Sequence, residues 1–406
     1  MTATVIGSNP GPTKEGRPVL ACVPCASYEA AELTPAVERL LEPWGGFAAL
    51  VRPGMTVFLK PNMLSAKSPA AAATTHPAVV EVVAAACRAR GARVVIGDSP
   101  PLTMKRVEDF WEATGYRAAA DRAGAELVAL EREPAREITV TGPRGPLALR
   151  ITDWYWRADL VINLCKLKTH NLTVLTGAVK NHFGLVPGLQ KAQLHLRLPR
   201  ATEFGALLAD LAAAVPMGLH VMDGIVGMDG NGPAGGRPVP TGVLLAARDP
   251  VTVDLGASAV AGIEPADQPI LRQCRARGWG PASLDEVVRH GDDPRRWRFA
   301  GFQVPAVPLL YRVPEPLFNV LRRFIWARPA LVPARCIRCG ACARVCAARA
   351  AELGRDGVRF RYGRCISCFC CLEVCPVEAI AMRSSPLIQV ALYLRAWKRK
   401  LQGRSV

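Results

Sequence analysis

Two runs of cysteine share one spacing, and this constrains the chain more than any other feature. Cys336, Cys339, Cys342 and Cys346 read Cys-x2-Cys-x2-Cys-x3-Cys; Cys365, Cys368, Cys371 and Cys375 repeat it, with Pro376 following. Nine of the fourteen cysteines lie between Cys336 and Cys375, and such clustering speaks for metal ligation rather than a disulfide framework. A pair of zinc sites would need four ligands each and no third closely spaced cysteine, so zinc explains the pattern poorly.

The spacing is that of bacterial ferredoxins, in which three thiolates of one run hold three corners of a cubane and the fourth crosses to the other cluster. By that rule Cys336, Cys339 and Cys342 join Cys375, while Cys365, Cys368 and Cys371 join Cys346. The expected cofactors are two 4Fe-4S clusters, and the fold of this segment is inseparable from metal loading. Ala347 follows the first run where Pro376 follows the second, a departure that removes no ligand. Cys370 beside Cys371 reads as a small core residue or, second, as a substitute ligand, and Arg335, Arg338, Arg344 and Arg364 flank the ligands, either as solvated surface or to offset the negative clusters or dock an acidic electron donor.

At 406 residues the chain has room for two or three domains and a full core. The formal charge of +17 falls to about +13 once ligand thiolates and oxidised cluster cores are counted. The remaining excess fits an acidic partner, an anionic substrate or a membrane surface. Dispersed arginines without an aromatic-and-basic motif argue against nucleic acid. Reduced thiols and an N-terminus without a secretory pattern predict a cytoplasmic protein.

Upstream of the cysteine runs, short β-type stretches alternate with helical ones, the pattern of an α/β layer fold with a mostly parallel sheet. Strands are expected at Val19 to Val23, Thr56 to Leu59, Arg93 to Ile96, Leu160 to Leu164, His220 to Val226 and Val243 to Ala246. Helices are expected at Ala78 to Arg90, Lys105 to Thr114, Glu203 to Ala214 and Val251 to Ala261. The division is an α/β domain over 18–300, a Pro-rich apolar connector over 301–333, a small α+β ferredoxin-like two-cluster domain over 334–384, and a basic amphipathic tail over 385–406. The tail packs on its own domain, or docks a partner or a membrane surface.

Polar motifs follow several expected strands: LKPNM (59–63), TTHP (74–77), GDSP (97–100), NLCKLKTHN (163–171), GAVKNHFGLVPG (177–188) and MDGNGPAGGRP (228–238). In an open α/β sheet that is where ligands bind, beyond the carboxyl ends of the strands. Lys60, Lys166, Lys168, Lys180, Asn62, Asn181, His170 and His195 supply donors suited to a carboxylate or phosphate, and the glycines of 227–236 allow a backbone to approach a ligand. No P-loop or strict G-x-G-x-x-G is present, which speaks against ATP or a dinucleotide. His76, before Pro77 at a helix start, reads as structural; Asp98 reads equally as a helix cap or a catalytic acid; Cys22 and Cys25 read as buried strand thiols.

These segments, together with His195 and the ARDPVTVD run at 247–254, resemble the family known as domain of unknown function 362, from about Val19 to Gly262. Many members of that family are similar to this chain in carrying a fused two-cluster ferredoxin. The resemblance implies that Lys60, Asn62, Lys166, Lys168, His170, Lys180 and Asn181 belong to one site, and it names no reaction. A more distant likeness to the nickel-dependent lactate racemase fold supplies no cofactor.

Two functions are compatible with these residues. In the first, a ferredoxin-linked reductase, electrons enter at the clusters and pass to an anionic small molecule in the α/β domain. His170, Lys166 and Lys180 would then act in catalysis, and Lys60, Asn62, Lys168, Asn181 and His195 in substrate binding. In the second, the chain is a non-catalytic electron-transfer or maturation partner that docks an electron donor or acceptor protein or makes peripheral membrane contact.

Overall fold

The computed structural model describes residues 16–100, 106–188, 190–304, 324, 326–390 and 393–394. Most of the expected connector, most of the basic tail beyond residue 390, and Lys105 at the start of an expected helix lie outside the described residues.

The α/β part contributes strands β1 (Val19–Pro24), β2 (Thr56–Pro61), β3 (Arg93–Asp98), β4 (Glu126–Ala129), β5 (Ala135–Val140), β6 (Leu147–Thr152), β7 (Leu160–His170), β8 (Val174–Leu175), β9 (Leu219–Asp229), β10 (Arg237–Ala247) and β11 (Val288–Gly291). Nine of them form one sheet in the order β11-β1-β10-β9-β7-β2-β3-β4, with β8 attached to β7. Pairing is parallel throughout except where β10 meets β1 and β9 and where β8 meets β7. All six strands read from the sequence are in this sheet.

Alternation along the central strands feeds two cores. Phe58 points into one apolar layer and Val57 and Leu59 into the other, so both faces must be covered by helices. The helices Ala30–Leu41, Pro77–Ala89 and Val107–Thr114 line one side, and Ala201–Ala214, Pro250–Ala261 and Pro269–Ala276 the other. Pro77 occupies the first turn of its helix, and His76 caps it by accepting from the Ala78 N–H at 3.2 Å, the structural role its position predicts.

Parallel strands β2, β3 and β7 end on the same edge, which delivers their polar motifs to one place. β7 runs six residues beyond the expected Leu164 and is buried along its whole length. Its pairing with β9 shifts register between Lys166 and Lys168, so the two lysines do not share one environment despite their spacing.

The small C-terminal module contains β12 (Ala327–Leu331), β13 (Ala351–Gly354), β14 (Gly357–Phe360) and β15 (Ile380–Ser384). β12 pairs antiparallel with β15 and β13 with β14, around a core of Ala351, Val358, Phe369, Cys371, Leu372 and Ile380. Short helices at Ala341–Val345 and Cys370–Glu373 carry Cys342 and Cys371, the third cysteine of each run. The two halves mirror each other: Cys346 Sγ accepts from the Ala350 N–H at 3.2 Å, and Cys375 Sγ from the Ala379 N–H at 3.1 Å.

Candidate functional site

The eight cysteines of the two runs line two separate cavities. One is bordered by Cys336, Cys339, Cys342 and Cys375, together with Leu331 and Ile380. The other is bordered by Cys346, Cys365, Cys368 and Cys371, together with Phe360 and Phe369. Each contains three thiols of one run and the last of the other, the grouping that the crossing rule expects. Soft sulfur donors in an apolar surround fit an iron–sulfur centre. Among the described residues no group of three or more His, Cys, Asp or Glu side chains is gathered to hold a single metal ion.

A third opening, a cleft of about 370 Å³, lies between the sheet edge and this module. From the α/β side it is lined by Asn62, Asp98, Ser99, Lys180, Asn181, Lys191 and His195, and from the module by Arg344, Val345, Cys370 and Glu373. Ala192, Val345 and Cys370 border both the cleft and the cavity of Cys346, Cys365, Cys368 and Cys371. Sulfur chemistry and a polar cleft therefore share a wall.

Local sequence explains the floor of the cleft. Lys60, fully buried at the end of β2, donates to Asp98 Oδ1 at 2.9 Å and to the Pro61 carbonyl at 3.0 Å. Asp98 also accepts from the Met63 N–H at 2.6 Å and the Ser99 N–H at 2.9 Å. This places Asp98 neither as a helix cap nor as a free acid, but as the buried partner of Lys60. Gly184 lies directly over the pair, where any Cβ would collide with Asp98 Oδ1.

Three amides form the adjoining wall. Asn62 Nδ2 donates to Asn181 Oδ1 at 3.0 Å, and Asn181 Nδ2 donates to Asn163 Oδ1 at 2.7 Å. Asn62 Oδ1, buried and without a hydrogen-bond partner, remains available to a ligand. Asn181 and Lys180 sit on the short helix Gly177–Asn181, whose first N–H groups are held by Asp254: Ala178 donates to its Oδ1 at 2.5 Å and Val179 to its Oδ2 at 3.1 Å. Gly177, at φ 66°, leaves no room for a Cβ against that carboxylate. The ARDPVTVD run thus works through structure, with Asp249 capping its own helix and Asp254 capping the one that presents Lys180.

Lys180 has no hydrogen-bond or ion-pair acceptor among the described residues, and burial lowers its pKa, partly offset by Glu373. His195 stacks on Phe204 with ring centroids 4.2 Å apart, and its Nδ1 lacks a partner; burial pushes its pKa down to about 3. It is a neutral wall of the cleft.

Sequence reasoning missed Lys191, Ser99 as a lining group, Glu131 and Glu373, and it read Arg344 as flanking the cluster ligands rather than as a wall of the cleft. Lys191 Nζ donates to Ser99 Oγ at 2.7 Å and to the Ser99 carbonyl, while Ser99 Oγ donates to Glu131 Oε1 at 2.5 Å. Burial lowers the Lys191 pKa to about 8 and raises that of Glu131. The signal for Ser99 was present in GDSP; Lys191, on the helix Gln190–Arg197, follows the GLVPG turn with no motif of its own.

Four of the expected site residues do not line the cleft: Lys60 lies beneath it, on Asp98, and Lys166, Lys168 and His170 are placed elsewhere. Lys166 is committed to Asp223 at 2.7 Å and Tyr28 at 3.0 Å, in a buried cluster where Tyr28 stacks on His76. Lys168 donates to the Ala73 carbonyl at 2.6 Å and, deeply buried, has a pKa well below the ordinary lysine value. His170 lies behind the cleft, with Nε2 3.4 Å from Glu373 Oε1. The glycines of 227–236 serve the protein's own backbone: Gly232 packs on Thr169, and its N–H donates to Thr169 Oγ1 at 3.2 Å. Cys22 and Cys25 are buried, and burial raises their pKa values to about 12 and 11, which suits inert strand thiols.

A mostly parallel α/β layer joined to a ferredoxin-type module defines an iron–sulfur protein with an electron-transfer role. Residues 57–259 match the family described as "Domain of unknown function (DUF362)" and residues 335–379 the "4Fe-4S dicluster domain". The chain belongs to the DUF362 family. It is 33% identical over 301 residues to the thylakoid-associated protein sll1697 of Synechocystis sp. (strain ATCC 27184 / PCC 6803 / Kazusa), covering 73% of this chain and 92% of that one. Among solved structures it aligns with the lactate racemase apoprotein from Thermoanaerobacterium thermosaccharolyticum at TM-score 0.39 and 14% identity, over 60% of this chain and 57% of that one.

Proposed function

We propose that the protein is an iron–sulfur reductase whose cleft binds an anionic small molecule against the iron–sulfur module. The observation that carries this reading is the shared wall: Ala192, Val345 and Cys370 face both the polar cleft and the cavity of Cys346, Cys365, Cys368 and Cys371. Two 4Fe-4S clusters, one per cavity, would supply one-electron transfer when bound.

The side chains have separable tasks. Lys180, Lys191 and Arg344 bring positive charge to the cleft from both parts of the chain, and the Asn62 carbonyl offers an acceptor beside them. A cleft of about 370 Å³ is near the lower end for small-molecule sites, so the ligand is metabolite-sized. Lys191 is the proton donor: its ammonium faces the cleft, and Glu131, reached through Ser99 Oγ, returns the proton. Lys60 and Asp98 fix the floor, while Lys166, Lys168 and His170 hold the strand end in place rather than touching the ligand.

Anaerobically purified protein tests the reading. About eight irons per chain, and a thermal shift with small carboxylates or phosphates that disappears in Lys180→Ala and Lys191→Ala, support it. Shifts that survive both substitutions contradict it.

A second reading, an electron-transfer partner that docks a membrane surface, draws on the exposed Leu387, Val390, Tyr393 and Leu394 and on the thylakoid association named for the relative. No helix among the described residues is long and apolar enough to cross a membrane. Pelleting with vesicles, lost when residues 386–406 are removed, would favour it over a purely cytoplasmic enzyme.

A further inference from the structure

We infer that the face of the module around Ile337, Cys339 and Leu353 is a docking port for a small acidic one-electron carrier protein of the ferredoxin or flavodoxin kind. The inference rests on the electron-transfer role of the module and is independent of what binds in the cleft.

The two cysteine cavities differ in where they face. The cavity of Cys346, Cys365, Cys368 and Cys371 shares three residues with the cleft, whereas the cavity of Cys336, Cys339, Cys342 and Cys375 shares none. The second is instead walled by the protein surface. Its lining residues Ile337 and Leu353 are 60% and 50% exposed, and Cys339 is the one exposed cysteine among the described residues. Among the described residues these large apolar side chains stand half open or more beside a thiol that borders the cavity. Small exposed apolar patches of this sort mark interaction sites.

Charge around the patch indicates the partner. Arg338 lines the same cavity and donates to the Arg355 carbonyl at 3.2 Å, which brings these two exposed arginines together. Arg335 and Arg359 are 60% and 79% exposed nearby in sequence. The acidic groups of the region are already engaged: Glu378 with Lys67 and Arg335, Glu352 with Arg361 at 2.6 Å, and Asp356 with Arg359 at 4.0 Å. Arg355 has no acidic partner among the described residues. An apolar centre with an arginine-rich rim is the anatomy of a transient interface, and electrostatic steering gives such an interface a fast, salt-sensitive encounter.

The redox step balances simply. Each encounter oxidises the carrier by one electron and reduces this module by one, with no bond made or broken. The carrier then leaves from a face that does not obstruct the cleft, so a ligand and a carrier can be bound together.

The test uses the full chain, purified anaerobically with its iron, mixed rapidly with a reduced acidic flavodoxin. The bleaching of visible absorbance reads the second-order rate. In Arg338→Glu/Arg355→Glu that rate falls at least about tenfold at low salt, the usual scale of steering effects, and the gap narrows at high salt. Arg52→Glu/Arg90→Glu, an equal charge change before the first residues of β2 and β3, at the opposite strand ends from the cleft, leaves it within about twofold of wild type, since salt screens charge with distance. Ile337→Ser slows the reaction with little salt dependence. Iron content and the dithionite end point stay unchanged in all three, which excludes damage to the module. Equal rates for the two charge-reversed pairs would overturn the port. So would a loss of rate in Arg344→Glu alone, which would place entry at the cleft, or a wild-type dimer in sedimentation that Arg338→Glu/Arg355→Glu dissolves, which would show the face covered by a second copy.

Discussion

His170 Nε2 points at Glu373 Oε1 across 3.4 Å, joining the end of β7 to the cysteine-bearing helix Cys370–Glu373. The ring orientation is fixed from behind. Nδ1 accepts from the N–H groups of Leu172 at 3.0 Å and Thr173 at 3.3 Å, so the proton of the neutral imidazole sits on Nε2. Burial, reinforced by Lys180, lowers the His170 pKa to about 4 and keeps the ring neutral near pH 7. A neutral donor facing a carboxylate from the other module couples cleft and cysteines through one contact.

Loss of that acceptor should loosen the coupling. Glu373→Ala removes the carboxylate that His170 Nε2 faces at 3.4 Å, the polar group nearest to a ring nitrogen that has no hydrogen bond of its own, and should raise hydrogen exchange at residues 169–173. Glu373→Gln keeps an acceptor and should lose less. Identical exchange in the two variants would mean that the contact carries no weight.

The Lys60–Asp98 pair predicts a larger effect. Both are buried, with side-chain exposures of 0% and 4%, so removal of one leaves a lone charge. Asp98→Ala and Lys60→Met should each destabilise by about 3–5 kcal/mol in urea unfolding, whereas Lys60→Met/Asp98→Leu should cost less than either. Gly184→Ala should resemble the single variants, because its Cβ collides with Asp98 Oδ1. If the double variant is the least stable, the pair is not the unit that matters.

These contrasts show what was legible in the sequence. Ligand spacing is written locally, so the eight cysteines could be read without a fold. Strand positions followed from short apolar runs, and LKPNM, GDSP and GAVKNHFG fell at one sheet edge because β2, β3 and β7 run parallel. Side-chain direction was not legible. Lys166 and Lys168 alternate with apolar neighbours like a binding pair, but a register shift with β9 and the partners Asp223 and Ala73 turn them into structural residues. Lys191, Arg344 and Glu373 reach the cleft through helix packing and through contact between distant segments, which no local pattern records.

Lys191 should be identifiable by its chemistry. A lysine near pKa 8 is substantially unprotonated at pH 8, whereas surface lysines near the ordinary value are not. Limited acetylation at pH 8, followed by peptide mass spectrometry, should therefore modify Lys191 ahead of the lysine of an unstructured reference peptide added to the same reaction. Glu131→Gln should change the pH at which Lys191 reacts, whereas Ser99→Ala should leave the amine reactive but uncouple it from residue 131. A Lys191 that reacts only with the bulk of the lysines would remove it as the proton donor.

Acid should weaken the α/β domain through its buried histidines. His182 Nδ1 donates to the Ala178 and Val179 carbonyls, at 3.0 and 3.2 Å; since carbonyls only accept, Nδ1 carries the proton. Its Nε2 is buried without a partner, so a second proton would create a charge in an apolar surround. Burial accordingly lowers its pKa from 6.5 to about 4. A group whose folded pKa is depressed contributes stability above its unfolded pKa, and that contribution is lost as pH falls towards the folded value. For His182 the window is pH 6.5 to 4 and the span about 3 kcal/mol. Asp254 acts in the opposite sense: burial raises its pKa to about 7, so its contribution is present below about pH 4 and is lost as pH rises to 7. The two slopes overlap and partly cancel in the wild type. His182→Gln removes one of them, so the variant should be less stable at pH 7 yet gain stability relative to wild type between pH 6.5 and 5. Hydrogen exchange at the amides of residues 178–183 reads this, with iron content followed in both proteins because Lys180, Asn181 and Phe183 line the cleft that the module borders, and parallel wild-type and variant profiles across that window would show that His182 is not the group being protonated.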